Sequence, residues 1–530
     1  MTEFSGTGGL IRLILRRDWL KLLIWVGLVG LVPIGIASSF AQLYPTTAAL
    51  NAYADEVMRT PATVGMLGLV FSRSLGGLVA WRSGLNGAIL IAPIALLFII
   101  RYTRTEEEKG RRELLGSTVM GRFAPLTAAL LVVFAASLII AALIASGLIG
   151  LGLPAAGSVL LGLAAASVGW VFAAIAAVAA QLTESPGTAR GMALSAFGLA
   201  YLLRAVGDAG GEQGRQFWLS WLSPLGWVRL TRAFAGERWW VLGPSLSFVA
   251  VLCIAAYTLL ARRDLGAGLL PAHPGVASVS PRLNSPLALA WRLQRGSLSA
   301  WTAGAVVFGI LLGSTGYTFS TFVDVPQLQG WVLRMGAENA GDAFLFILMY
   351  VLGQVASAYA ISATLRMRSE EVEQRADLVL ATAVSRLRWA ASHLFFAIIG
   401  PTIILIVLGF FIGLGFGLAA GDVAHELPRL FIRTLETLPA VWVMVGIATL
   451  LFGWLPRFTS AGTWGLLALF FVLELGWELQ RISQAMFNLS PFAYVHWSLP
   501  LTITPLIELT LAAAGLVGVG LLGFQRRDIA

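Results

Sequence analysis

Twelve stretches of mainly apolar residues, each closed by a short polar or charged segment, leave this chain one class of fold. They fall at roughly residues 20–42, 84–102, 124–150, 156–181, 189–206, 240–261, 297–318, 343–365, 390–418, 437–456, 461–479 and 504–524. A membrane-crossing helix needs about 20 such residues, and hydrocarbon cannot hydrogen-bond an open backbone. The runs are therefore predicted as spanning helices. Charged residues make up only 12% of the 530, against about 25% in a soluble domain. The expected fold class is an all-α polytopic membrane protein with twelve transmembrane helices.

The charges also set an expected orientation. With the N-terminus inside, the inner segments hold 24 Lys and Arg and the outer ones 12. Basic residues favour the cytoplasmic side, so both termini are expected there. The net charge of +9 is explained by this bias and does not call for a nucleic-acid partner. The single cysteine, Cys253, excludes an internal disulfide, and the four histidines show no ligand spacing. No metal site, catalytic residue or nucleophile–base set is expected.

One charged segment occurs twice. RTEEEKGRRELLGSTVMGR at 104–122 and RSEEVEQRADLVLATAVSR at 368–386 are offset by 264 residues, with 7 of 19 positions identical. Glu106/Glu370, Glu107/Glu371 and Arg111/Arg375 are among the identities, and Glu113/Asp377 keeps its charge. The same offset carries Arg262-Arg263-Asp264 onto Arg526-Arg527-Asp528. Ser223-Pro224 and Ser490-Pro491 correspond before the last run of each half. The expected organisation is a six-span half at 1–270, a Pro-rich cytoplasmic linker at 271–288, and a second six-span half at 289–530.

Thr105 with Glu108 fits a capping box, Ser369 is a good N-cap, and acids fill what would be first turns. Glu107–Arg111, Glu108–Arg112 and Glu371–Arg375 are acid-first pairs at helical spacing. Each copy is thus predicted as a short amphipathic helix between the second and third spans of its half. Helices of this kind also lie at lipid headgroups. The high acid content and the recurring register favour a docking element instead.

The acidic cluster with GRRELLGSTVMGR, the Ser-Pro-aromatic stretch and the terminal Arg-Arg-Asp resemble the ABC-2 type permeases. The whole chain is similar to their fused, twelve-span actinobacterial branch: exporters of multiple drugs or polyketide antibiotics, of the tetronasin-efflux type. Half two departs from the pattern, with Gln374 and Ala376 where half one has Gly110 and Arg112.

The resemblance implies that Glu106, Glu107, Arg111, Glu113, Glu370, Glu371, Arg375 and Asp377 couple the chain to ATP-binding subunits. The chain has no GxxxxGK[ST], and its only lysines are Lys21 and Lys109. A phosphate-binding loop is thus not expected here. ATP and Mg²⁺ are expected in a separate ATPase, present in two copies for two docking segments. The expected function is that of a non-enzymatic permease subunit of an ATP-driven exporter in the plasma membrane. Its cargo would be a hydrophobic small molecule, with membrane lipid around it. The rival is a proton- or ion-driven transporter with two six-span halves.

Ionisable residues inside spans are functional candidates. Glu474 in the eleventh and Arg204 in the fifth are expected on the substrate path or at a gate, where they could face each other across a pseudo-two-fold axis. Snorkelling of Arg204 is the plainer alternative. Aromatics in 215–240 and 477–497 fit an interfacial belt. Gly409, Gly413, Gly417 and Gly421 recur every fourth residue and predict a close helix contact.

Overall fold

The computed structural model describes residues 3–58, 64, 68–110, 120–209, 211–264, 266–270, 285–320, 340–478, 481–496 and 502–528. Among them the secondary structure is helical throughout. Twelve helices are long and apolar enough to cross a membrane. In order they are Thr7–Leu43, Leu75–Glu108, Ala124–Gly150, Ala155–Leu182, Pro186–Ala209, Trp239–Arg262, Pro286–Ser314, Leu348–Val372, Arg386–Ala420, Val423–Trp454, Thr459–Trp477 and Ile503–Arg526. They are called spans one to twelve below. The chain divides into two compact units, Met1–Gly275 and Val276–Ala530.

In the first unit the Ala-rich fourth span is the centre, packed on spans two, three, five and six. Small side chains let these helices approach closely, which is how helices associate where lipid offers no hydrophobic drive. In the second unit the ninth span packs along the seventh, the eighth and the start of the tenth. Its glycine stripe meets the tenth. A Cβ at Gly413 would stand 2.8 Å from the Leu427 backbone, and one at Gly417 2.7 Å from Val423.

Several helices overrun the hydrocarbon. The first, of 37 residues, is about 55 Å long at 1.5 Å per residue, against a core of about 30 Å. It breaks at Asp18, whose φ of −125° and ψ of 18° leave the helical region. The buried Asp18 carboxylate takes hydrogen bonds from Lys21 at 2.8 Å, Arg101 at 3.3 Å and the Tyr102 hydroxyl. The break thus turns an amphipathic entry segment into the span proper.

The second span also runs long. It passes through a wider, π-type turn at Arg101–Thr105 and ends at Glu108. This corrects the predicted caps. Thr105 is helical (φ −69°, ψ −30°) and makes no cap bond. Ser369 lies inside Ala340–Val372, and its hydroxyl donates to the Arg366 carbonyl at 3.1 Å. The acids therefore close the preceding span rather than open a new helix, because nothing between span and loop interrupts the helical hydrogen bonding.

Before the last span of each unit lie short helices. Trp218–Leu222 and Pro224–Leu230 stand in the first, Gln484–Phe487 and Pro491–Val495 in the second. Ser223 and Ser490 cap the second of each pair, accepting from Leu225 and Gly226 and from Phe492.

Candidate functional site

Carboxylates at a helix C-terminus face the wrong end of the helix dipole. Glu107 and Glu371 are in that position, and arginines offset the cost in both units. In the first, Arg104 donates to Glu107 at 2.5 Å, and both Glu107 oxygens accept from Nη2 of Arg263 at 2.9 Å. In the second, Arg368 donates to Glu371 at 2.9 Å, and Arg527 forks onto its two oxygens at 2.5 and 2.9 Å. The carbonyl of the second arginine is held as well. Arg122 donates to the Arg263 carbonyl at 2.5 Å, and Arg386 to the Arg527 carbonyl at 2.7 Å.

All four residues of one clamp thus map onto the other at the 264-residue offset seen in the sequence. Each clamp ties three places together: the end of the second span, the start of the third, and the exit of the sixth. The first clamp is drier, with the side chains of Arg104, Glu107 and Arg263 no more than 2% exposed. Arg104 also donates to the carbonyls of Glu184, Gly266 and Ala267. Arg263 reaches Gln181 at 2.7 Å. Burial, with the charges of Arg104 and Arg122 beside it, pushes the Arg263 guanidinium down to about 10, so it stays charged at neutral pH.

The other candidates divide into buried and exposed. Glu106 pairs with Arg17 at 2.9 Å, which ties the entry segment to the same end. Glu370 pairs with Arg366 at 3.0 Å and Arg375 at 3.3 Å. Arg111 and Glu113 lie outside the described residues. Beyond Glu371 the chain turns through Gln374 (φ 58°), the counterpart of Gly110 (φ 66°), into a helix at Arg375–Leu380. Its outer face presents Arg375 and Asp377 to solvent, with Leu378 75% exposed. Val372 just before it is 61% exposed.

The far end of each unit, opposite the termini, holds a different buried arrangement. Arg204 finds a carboxylate in its own unit, Asp208, at 3.4 Å. The same oxygen accepts from Arg229 at 2.5 Å, and Ser220 donates to the other at 2.8 Å. Glu474 accepts from Gln354 at 2.7 Å. One turn along the same helices, Tyr350 and Trp477 bracket the His496 ring at 5.2 and 5.0 Å, with Phe487 at 5.5 Å. Burial pushes the His496 imidazole down to about 3. No group of three or more His, Cys, Asp or Glu that could hold a metal occurs among the described residues.

Arg263 and Arg527 are not among the residues expected at the site, although the 264-residue offset pairs them in the sequence. Nor is Asp208, whose four-residue spacing from Arg204 is a legible ion-pair signal. Arg229 carried no local signal.

Residues 283–525 match the family model described as the C-terminal domain of the multidrug efflux system permease Rv1217c. The chain is 43% identical over 532 residues to the multidrug efflux system permease protein Rv1217c of Mycobacterium tuberculosis (strain ATCC 25618 / H37Rv). That alignment covers 99% of this chain and 96% of the relative. With twelve apolar helices, the chain is a multi-pass protein of the plasma membrane, and it belongs to the family of multidrug efflux system permeases.

Proposed function

We propose that this chain is the membrane subunit of an ATP-driven exporter of the ABC-2 type, moving hydrophobic compounds such as drugs or antibiotics. Two copies of a separate cytoplasmic ATPase, holding ATP and Mg²⁺, dock on segments 105–122 and 369–386. The observation that carries this reading is the doubled clamp. A four-residue geometry kept at both sites fits two equivalent points of attachment, and a passive lipid-facing loop has no need of it. The kinship with a multidrug efflux permease supports the choice of cargo class.

The clamp also divides the labour among the candidate residues. Glu107 and Glu371 are sealed by arginine and position the segment, while the exposed Asp377 and Leu378 face a partner. Closure of the ATPase pair on ATP then pulls on segments rigidly joined to the second, third and sixth spans of each half. That linkage turns a cytoplasmic movement into a movement of helices.

The test is co-purification with a candidate ATPase in detergent, with the mass of the complex measured. One permease with two ATPases is expected. Leu378→Asp and Asp377→Arg should lower ATPase binding at least tenfold and leave the thermal midpoint of the permease alone unchanged. No ATPase bound under any nucleotide condition would overturn the reading in favour of an ion-driven transporter, with Glu474 the first residue to titrate.

A further inference from the structure

The far end of the first unit contains a small built cavity between two arginines. Its walls include Phe71, Ser72, Trp81 and Leu161, and Arg229 and Arg232 line it together. Its volume is about 20 Å³, enough for one water-sized occupant. Arg229 is only 6% exposed. Its Nη1 serves Asp208, but among the described residues its Nε has no hydrogen-bond partner, and neither has the Nε of Arg232. Arg232 pairs with Glu212 and stands 4.5 Å over the Phe71 ring.

The backbone beside this cavity is strained. Arg232 (φ 51°) and Phe234 (φ 61°) both hold left-handed conformations, which are strained for non-glycine residues. Phe234 is seated against Gly76 and Gly157, where a Cβ would come within 2.7 and 2.3 Å of its ring. Gly68 (φ 97°) lies directly against Arg229, since a Cβ there would fall 1.6 Å from the guanidinium. Its carbonyl is pinned by the Trp81 indole at 2.8 Å. Strain of this kind persists where the surroundings over-determine it and commonly marks a binding position.

The charge count points to the occupant. Among the described residues, the ion pairs of this cluster set three guanidinium groups, those of Arg204, Arg229 and Arg232, beside two carboxylates, Asp208 and Glu212. The unit's far-end segments, 43–83 and 204–238, hold eight Lys and Arg against five Asp and Glu. Those of the second unit, 319–342, 418–437 and 474–508, hold four against nine.

We propose that this cavity binds a small monovalent anion of the halide class, held between the Nε groups of Arg229 and Arg232. The anion neutralises the cluster and locks the strained 231–236 loop against the second span. It binds in the first unit only, because the second unit holds His496 and Glu474 before its last span instead of an arginine pair.

The test uses the full purified chain in detergent, with chloride or bromide exchanged for gluconate at constant ionic strength. The thermal midpoint should rise by a few degrees and saturate with halide, whereas gluconate, too large for the cavity, should give no rise. Arg232→Gln keeps the Arg229–Asp208 pair and should abolish the rise without lowering the gluconate baseline by as much as Arg229→Gln does. Bromide, located by anomalous scattering in crystals, should lie between the two guanidinium groups. A midpoint indifferent to halide, or an Arg232→Gln protein that keeps the full response, would overturn the proposal. A response to formate and not to halide would also overturn it, making the cavity a carboxylate pocket.

Discussion

The two halves agree at the end that carries the termini and part company at the other. At the first, Arg104, Glu107, Arg122 and Arg263 are matched one for one by Arg368, Glu371, Arg386 and Arg527. At the second, an arginine–aspartate–arginine cluster in one half stands against a glutamate–glutamine contact and a ring-bracketed histidine in the other. Divergence of a duplicated chain is free wherever nothing external requires sameness. Identity kept at one end fits the proposal that both copies meet the same kind of partner there. Its loss at the other argues that the far ends of the two units do not answer to the same requirement.

Removing a clamp carboxylate should have the largest effect. Glu107→Gln strands two buried guanidinium groups and should cost about 3–5 kcal/mol, read as a fall in thermal midpoint in detergent. Glu371→Gln should cost less, because Arg368 and Arg527 are 26% and 16% exposed and water screens them. Equal losses, or the reverse order, would break the comparison of a dry clamp with a wetter one.

The far ends should separate almost as clearly. Asp208→Asn leaves Arg204 and Arg229 without their shared counter-charge and should cost about 3 kcal/mol. Glu474→Gln should cost less than about 1 kcal/mol, since an amide oxygen still accepts from Gln354. A Glu474→Gln loss as large as that of Asp208→Asn would mean that Glu474 holds a charge essential to its half.

Acid should also act on the second half through His496. Its folded form is neutral with a pKa of about 3, against an ordinary 6.5. The unfolded chain takes up that proton first, so stability is constant above about pH 6.5 and falls as pH drops from there toward 3. His496→Phe should remove that part of the slope in a pH series of thermal midpoints. An unchanged slope would exclude His496 as its source.

The smallest effects should come at the loop turns and carry opposite signs. Gln374→Gly relieves a left-handed glutamine and should stabilise by about 1 kcal/mol, while Gly110→Ala should destabilise by a similar amount. Both are measurable in the same midpoint assay, and effects of like sign would deny that 110 and 374 are equivalent turns.

Hydropathy alone places all twelve spans, because burying a backbone in lipid demands long uninterrupted apolar runs. It understates their length. The polar ends of Thr7–Leu43 and Leu75–Glu108 are helical for reasons of hydrogen bonding and ion pairing that a hydropathy window does not see. The clamp was half legible. Its carboxylates stood out as repeated acids, but as first-turn acids, since a Thr or Ser before an acidic run looks the same at either end of a helix. What decided the matter was Arg263, 156 residues downstream of Glu107, and a contact at that range has no local signature. Asp208 and Arg229 were hidden for the same reason: a non-local ion pair shows in sequence only as two unrelated charges.

The clamp also imposes an order of events on the growing chain. Arg263 follows Glu107 by 156 residues and Arg527 follows Glu371 by the same interval. Neither contact can close until the last helix of its half has threaded into the bilayer. Until then, the Arg104–Glu107 pair lacks the contribution of Arg263. Each half therefore carries a chemical record of its own completion, and a chain whose last helix inserts with the wrong polarity leaves that record unwritten.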